Sequence, residues 1–338
     1  MDEKNNQRGG WKRDYFASCE VSSFYSWLII PGIALLGALF FPVLGFLKSS
    51  GAAQGRQVIV YTSQDQVYAE PLLQEFERRS GIKVRAVYDS EAVKTVGLVN
   101  RLIAEKSHPQ CDVFWNNEEL RTRQLDQMGI LRETNAWAAF GFRERLMVVN
   151  TKRFNGDVPP PRFLELTNQM WRGRVALAYP LFGTTGTHFL VLRQRWGEKV
   201  WLDWCRALQA NKPLLVDGNS VVVKMVGRGE AWIGLTDSDD VLAGAQDGLS
   251  VASVPIDLAQ DGLQIPNTVA ILRGAPHPAE AQQLSDYLTS DGVYQYLFNA
   301  GALQGRATVV DGGSSINWNA LLATQQAGLD QLKEVFLR

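Results

Sequence analysis

The sequence predicts a mixed α/β protein folded into two lobes. Three observations carry this expectation. The chain has 338 residues, more than one compact core holds at roughly 100–200 residues per domain. Hydrophobic residues make up 46% and charged residues 20%, so most of the chain is globular rather than disordered. Short β-branched runs alternate with amphipathic stretches, which is the pattern of βαβ units and parallel sheets.

The elements follow in order. Residues Gln57 to Tyr61 form a β-branched run, followed by Thr62 and Ser63. Tyr68 to Arg79 places Leu72, Leu73 and Phe76 at helical spacing, and Gly81 stands at the usual C-cap position. Ile82 to Tyr88 alternates as a second strand. Thr95 to Lys106 reads as a helix with Val96, Val99, Leu102 and Ile103 on one face, and Cys111 to Trp115 as a third strand. A second α/β unit begins with the strand Arg145 to Asn150, which also suits a connection between lobes. Pro159 to Pro161 is a rigid loop, and Arg174 to Tyr179 is a strand ending at Pro180. Helical stretches are expected at Phe189 to Trp196 and Val221 to Val226. Strands are expected at Trp232 to Leu235 and Ile265 to Leu272, and helices at Pro278 to Thr289 and Gly292 to Asn299.

Phe24 to Leu47 carries no charge, a length that crosses a bilayer as a helix. Arg8, Lys12 and Arg13 precede it, as the positive-inside rule expects for a cytoplasmic N-terminus. Its length favours an uncleaved anchor, whereas the small residues from Ser49 to Ala53 suit a cleaved signal. On either reading the chain beyond about residue 54 lies outside the cytoplasm, in the periplasmic or extracytoplasmic space. The net charge of −1 gives no basis for nucleic-acid binding. His108, His188 and His277 are too scattered in sequence to suggest a zinc site. Of Cys19, Cys111 and Cys205, the last two are read as buried thiols rather than a disulfide.

Ligands of parallel α/β sheets bind beyond the C-terminal ends of the strands, so the loops after predicted strands are the candidate site. In the first unit these hold Ser63 and Asp65, then Asn116, Asn117 and Glu118; each could equally be a plain polar loop. In the second, Gly183, Thr184 and Thr185 open a helix after a strand, where free N–H groups and hydroxyls suit an anion. The alternative is an ordinary turn with a threonine cap. Asp217 to Ser220, containing Asn219 and Ser220, is a second turn of this kind. Asp237, Asp239 and Asp240 follow a buried strand, at what reads as a cleft mouth. Carboxylates there suit a hard cation or a cationic solute; the alternative is helix capping. There is no GxSxG, no HExxH and no paired Cys/His arrangement, so no enzyme is expected and no catalytic residue is assigned.

Val58 to Ser63, Phe76 to Val84 and Cys111 to Trp115, in that order, resemble the opening of the family 1 bacterial extracellular solute-binding proteins, and most nearly their ferric-iron-binding branch. The similarity continues through Trp171 to Val175, Gly229 to Leu235 and Ala279 to Leu288, spanning about residues 56 to 306. It implies a class II periplasmic-binding-protein fold: two α/β lobes joined by a two-strand hinge and closing on solute. By the same analogy lobe one takes residues 56–145 and 262–305, and lobe two residues 146–261 and 306–338, after a cytoplasmic segment 1–23 and a membrane or signal segment 24–47. The function implied is the substrate-binding component of an ABC importer, with permease and ATPase subunits as partners and no cofactor. Where the branch holds ferric ion with adjacent tyrosines, this chain has Asp239 and Asp240. Asp65 corresponds most nearly to the branch's histidine and Asn117 or Glu118 to its glutamate, while Gly183 to Thr187, with Asn219 and Ser220 nearby, resemble its anion loop. The resulting candidate cation ligands are Asp65, Asp239 and Asp240, for Fe3+ or another hard cation carried as solute. A polyamine or a phosphorylated organic solute would also suit these residues. A sensory domain is the other reading, but the short segment before Phe24 leaves no room for an output module.

Overall fold

The computed structural model describes residues 55–89, 96–154, 159–160, 162–307 and 316–337. The segment Phe24 to Leu47 lies outside the described residues, as does Cys19. Among those described, no helix is long and apolar enough to cross a membrane.

The first part of the chain is βαβαβα. Strand β1 (Gln57–Thr62) leads to helix α1 (Gln66–Ser80), then β2 (Lys83–Tyr88), α2 (Val96–Ala104), β3 (Val113–Asn116) and α3 (Glu119–Gln127). Helix α1 buries Ala69, Leu72, Leu73 and Phe76 and stops at Gly81, which takes φ 67° and returns its N–H to the Glu77 carbonyl. The long strand β4 (Trp137–Asn150) follows. The next unit comprises β5 (Val175–Ala178), α4 (Gly183–Trp196), α5 (Glu198–Ala210), β6 (Leu214–Val216), α6 (Asn219–Arg228), β7 (Ile233–Asp237), α7 (Ser238–Gln246) and β8 (Val251–Val254). The chain then returns through β9 (Leu263–Ile271), α8 (Pro278–Leu288) and α9 (Asp291–Asn299), and α10 (Trp318–Phe336) packs on α4 and α5.

The strands form one sheet in the order β2-β1-β3-β9-β4-β7-β5-β6, with β8 also on β4. Strand β1 pairs in parallel with β2 and β3, and β5 in parallel with β6 and β7. Between these two parallel groups, β4 and β9 run antiparallel to each other and to their outer neighbours. Their register shifts between Ala139 and Gly141. A Cβ at position 141 would stand 2.4 Å from Leu303 Cδ1, so a larger residue there would need the buried Leu303 side chain to move.

Each parallel group carries its own apolar core. The first is buried on both faces. Val58, Phe76, Trp115 and Leu284 pack on one side; Tyr61, Leu102, Phe114 and Leu125 pack on the other. The second gathers Met147, Phe163, Leu177, Phe189, Trp201 and Leu235. A further cluster draws Leu120 from α3, Leu190 and Val191 from α4, Leu263 and Ile265 from β9, and Leu321 from α10. Cys111 and Cys205 are buried and unpaired.

Two elements start earlier than the sequence suggests. Helix α4 begins at Gly183 rather than Phe189, so the Gly-Thr-rich stretch is its first turn. Strand β4 begins at Trp137 rather than Arg145, its first half obscured by the Gly141 irregularity.

Candidate functional site

The C-terminal ends of β3, β5, β6 and β7 converge on one small cavity of about 40 Å3. At about 10–15 Å3 per water-sized sphere it admits roughly three such spheres. Asp65 and Asn117 line it from one side. The first turn of α4 (Gly183, Thr184, Thr185) and the start of α6 (Asp217, Gly218, Asn219) line it from the other, with Asp237 and Asp240.

Two arginines on β4 organise this space. Arg145 sits directly across the β4–β7 pair from Asp237. Its Nη1 donates to Asp237 Oδ1 at 2.7 Å and to Asn219 Oδ1 at 3.1 Å. Arg143, two residues earlier, shares the same strand face. Its Nη1 donates to Asp237 Oδ2 at 3.2 Å and to Asp239 Oδ2 at 3.0 Å, and its Nη2 to the Asn117 carbonyl at 2.8 Å. Asp237 Oδ2 also accepts from Thr184 Oγ1 at 2.7 Å and Asn219 Nδ2 at 3.1 Å. Asp237 therefore has four donors on its two oxygens, about what a carboxylate accepts.

The electrostatics follow from this burial. Desolvation would raise the Asp237 carboxyl, but Arg145, Arg143 and Thr184 overcome it and hold the pKa below the usual range. Asp239 moves the other way, pushed up by burial and by its neighbours Asp237 and Asp65 against the pull of Arg143. Burial lowers Arg143, yet Asp239, Asp237, Asp65 and Asp240 more than reverse that. Behind the cavity His188 is fully buried, and desolvation aided by Arg145 drops its pKa to about 3. The neutral ring accepts from Arg145 Nε at Nδ1, 3.4 Å away, leaving Nε2–H to donate to the Asp261 carbonyl.

Three helices meet the cavity without a side-chain cap. These are α4 behind Phe182, α6 behind Gly218 and α7 behind Asp237, whose carboxylate is turned to the arginines instead. Their first N–H groups have no intrahelical acceptor and, with the helix dipole, favour an anion or an acceptor atom. Thr185 Oγ1 meets Asn219 Oδ1 at 3.1 Å, and Asn219 Nδ2 meets Thr184 Oγ1 at 3.0 Å, so the α4 and α6 starts are braced together.

Of the residues expected from sequence, Asp65, Asn117, Gly183, Thr184, Thr185, Asn219, Asp237 and Asp240 line the cavity. Ser63 and Asn116 stand behind it as scaffolding. Ser63 Oγ lies 2.8 Å from Asn116 Oδ1 and accepts from the Asn117 N–H at 3.0 Å, and Asn116 Nδ2 donates to Thr122. Ser220 lies in the first turn of α6, outside the cavity lining. The acids at 237–240 are not mouth residues as a group. Asp237 ends β7 and is 1% exposed, Asp239 is 4% exposed, and only Asp240 is half-buried. Strand pairing and the α7 start draw the first two inward, onto the arginines. Asp237, Asp239 and Asp240 can bring one oxygen each within 4.8 Å of one another; Asp65 is not in that group. Glu118 is wholly buried. It caps α3 and accepts from Thr187 Oγ1 at 3.0 Å. Burial lifts its pKa to about 7, against Arg121 and Thr187.

Sequence reasoning missed Arg143 and Arg145. The available signal was two arginines at i, i+2 ahead of the apolar run Leu146 to Val149. That spacing sets both charges on one face of a strand that must be buried.

No curated protein matches the chain. Among solved structures it is similar to iron-bound HitA from Pseudomonas aeruginosa (TM-score 0.71, 18% identity, 83% of this chain and 99% of that one). It is also similar to the periplasmic binding protein AfuA from Actinobacillus pleuropneumoniae with fructose-6-phosphate bound (0.70, 18%, 84% and 99%). A third is the ferric binding protein from Campylobacter jejuni (0.69, 16%, 82% and 99%). This structural similarity shows the periplasmic-binding-protein fold. The family profile described as bacterial extracellular solute-binding protein matches residues 57–301. The chain belongs to that family of extracellular solute-binding proteins and is a binding protein rather than an enzyme.

Proposed function

We propose that this chain is the extracytoplasmic solute-capturing component of an ABC importer, and that its solute carries a phosphate-like oxyanion. The oxyanion is seated at the starts of α4 and α6, with hydroxyl or amino groups of the solute turned toward Asp65 and Asp240. The observation that carries this reading is the convergence of two uncapped helix N-termini, with Thr184, Thr185 and Asn219, on one cavity. The cavity has room for an oxyanion group in this conformation, and a larger solute enters by opening about β4 and β9, with residues 56–145 plus 262–305 as one lobe and 146–261 plus 306–338 as the other. Permease and ATPase subunits are the partners such a component serves, and residues 24–47 are its export or anchoring segment.

A second reading, capture of ferric iron or another hard cation, is favoured by the grouping of Asp237, Asp239 and Asp240. It is the weaker one, because Asp237 is already supplied with four donors and Asp239 Oδ2 is held by Arg143. Calorimetric titration with inorganic phosphate, a sugar phosphate, spermidine and ferric citrate separates the two. Binding of the phosphates, weakened at least tenfold by Thr185→Val, is expected. Saturable binding of ferric ion or spermidine that is lost in Asp240→Asn, with no phosphate binding, would sink the oxyanion reading.

A further inference from the structure

Arg143 stands where a metal ion would otherwise be held. Its Nη1 is within hydrogen-bond distance of two of the three grouped carboxylates, at 3.2 Å from Asp237 and 3.0 Å from Asp239. The third, Asp240, and Asp65 also act on its charge. The group is 3% exposed, and it lines the solute cavity itself. Its Nε–H has no acceptor among the described residues.

A guanidinium in that position is a tethered cation. It is charged at every accessible pH, and it presents fixed planar donors rather than an open coordination sphere. A metal ion needs several oxygens at once, at 2.0–2.6 Å or so. It would have to displace the donors on Asp237, from Arg143 and Arg145 among others, and stand beside the like charge of Arg143, with only Asp239 Oδ1 lacking a partner among the described residues. Arg145 balances the remaining charge of Asp237 from behind. Arg143 and Arg145 thus offset the charges of Asp237 and Asp239, which leaves Asp240 and Asp65 as the remaining carboxylates of this set to draw a multivalent ion.

We propose that Arg143 is the specificity-determining residue of this site. It is a built-in counter-cation that keeps metal ions out of the Asp237–Asp239–Asp240 cluster and leaves the cavity to an oxyanion-bearing solute. The part played toward the solute rests on the oxyanion reading; the exclusion of metal rests on the cluster and Arg143 alone.

The test uses terbium(III), an oxygen-seeking trivalent ion, followed by calorimetry on the folded chain. Wild type is expected to show no saturable terbium site that depends on Asp240. Arg143→Gln, with its fold checked by circular dichroism, gains one site at least 100-fold tighter than any in wild type. The gain disappears in Arg143→Gln/Asp240→Asn, and Arg143→Lys, which keeps the charge, does not show it. A folded Arg143→Gln that gains no site overturns the proposal. So does a wild-type terbium site lost in Asp240→Asn, and this second measurement decides the matter even where Arg143→Gln does not fold. Phosphate titration of wild type is read separately. Its failure removes the oxyanion reading while leaving the terbium comparison valid.

Discussion

Replacing Asp237 by alanine removes the acceptor of four hydrogen bonds, from Arg145, Arg143, Thr184 and Asn219. The losses are unequal. Arg143 keeps Asp239 and the Asn117 carbonyl, and Thr184 keeps Asn219. Arg145 keeps only the neutral acceptors Asn219 Oδ1 and His188 Nδ1, and its side chain is 0% exposed. A buried charge deprived of its ion-pair partner costs about 3–5 kcal/mol. At about 2 °C per kcal/mol for a domain of this size, the melting temperature should fall by about 6–10 °C. Asp240→Ala, at a half-buried position, is the comparator and should cost about 1 kcal/mol or less. Urea denaturation gives both free energies. Arg145→Met added to Asp237→Ala should restore at least half of the loss, because no charge is then stranded. A loss under about 1 kcal/mol for Asp237→Ala would refute the reasoning that these groups form a mutually dependent buried network.

Two further outcomes are expected. Glu118 binds its proton more tightly in the folded chain than in the unfolded one, its pKa lifted from 4.5 to about 7. The stability this confers is complete below about pH 4.5 and is lost as pH rises through 7, a change of roughly 3 kcal/mol. His188, lowered to about 3, works oppositely and withdraws stability as pH falls below about 6.5. The clean measurement is therefore the difference between wild type and Glu118→Gln in melting temperature from pH 5 to 7.5. A difference that does not change with pH contradicts this assignment. Gly234→Ala puts a Cβ 2.4 Å from Val222 Cγ1 and 2.9 Å from Val148 Cγ1. Such overpacking should cost about 1–3 kcal/mol in a urea titration, and a neutral substitution would show that the second core yields.

The strands of the parallel groups were legible because each is a compact apolar run. Val58 and Val60, or Ile233 and Leu235, bury fully, and such runs read directly from sequence. Helix α1 was legible for the same reason, with Gly81 marking its end. Helix α7 was legible only as the alternative reading of Asp237, Asp239 and Asp240 as helix-start acids, because the same carboxylates also suit a cation site. Helices α5 and α10 were not read, although Trp201, Trp204, Cys205 and Leu208 stand at helical spacing and Asn317 caps α10; their partners lie far off in sequence. In the site, Thr184, Thr185 and Asn219 could be picked from their place after predicted strands. What could not be read was which charges meet. Arg145 and Asp237 become neighbours only through the β4–β7 register, a pairing of segments that helices α4, α5 and α6 separate in sequence.

The return of β9 to the middle of the sheet also governs the order in which the molecule is completed. Phe114 pairs with Ala270, so the edge of β3 stays open until roughly 150 further residues have been made. Leu284, Val293 and Leu297, which complete that core, come later still. The N-terminal sheet therefore cannot close behind the ribosome as it emerges, and closing so long a loop costs chain entropy. A polypeptide that finishes its first core only when nearly all of it is present stays incompletely folded for longer during synthesis. That delay suits threading through a translocation pore and the completion of folding on the far side of a membrane.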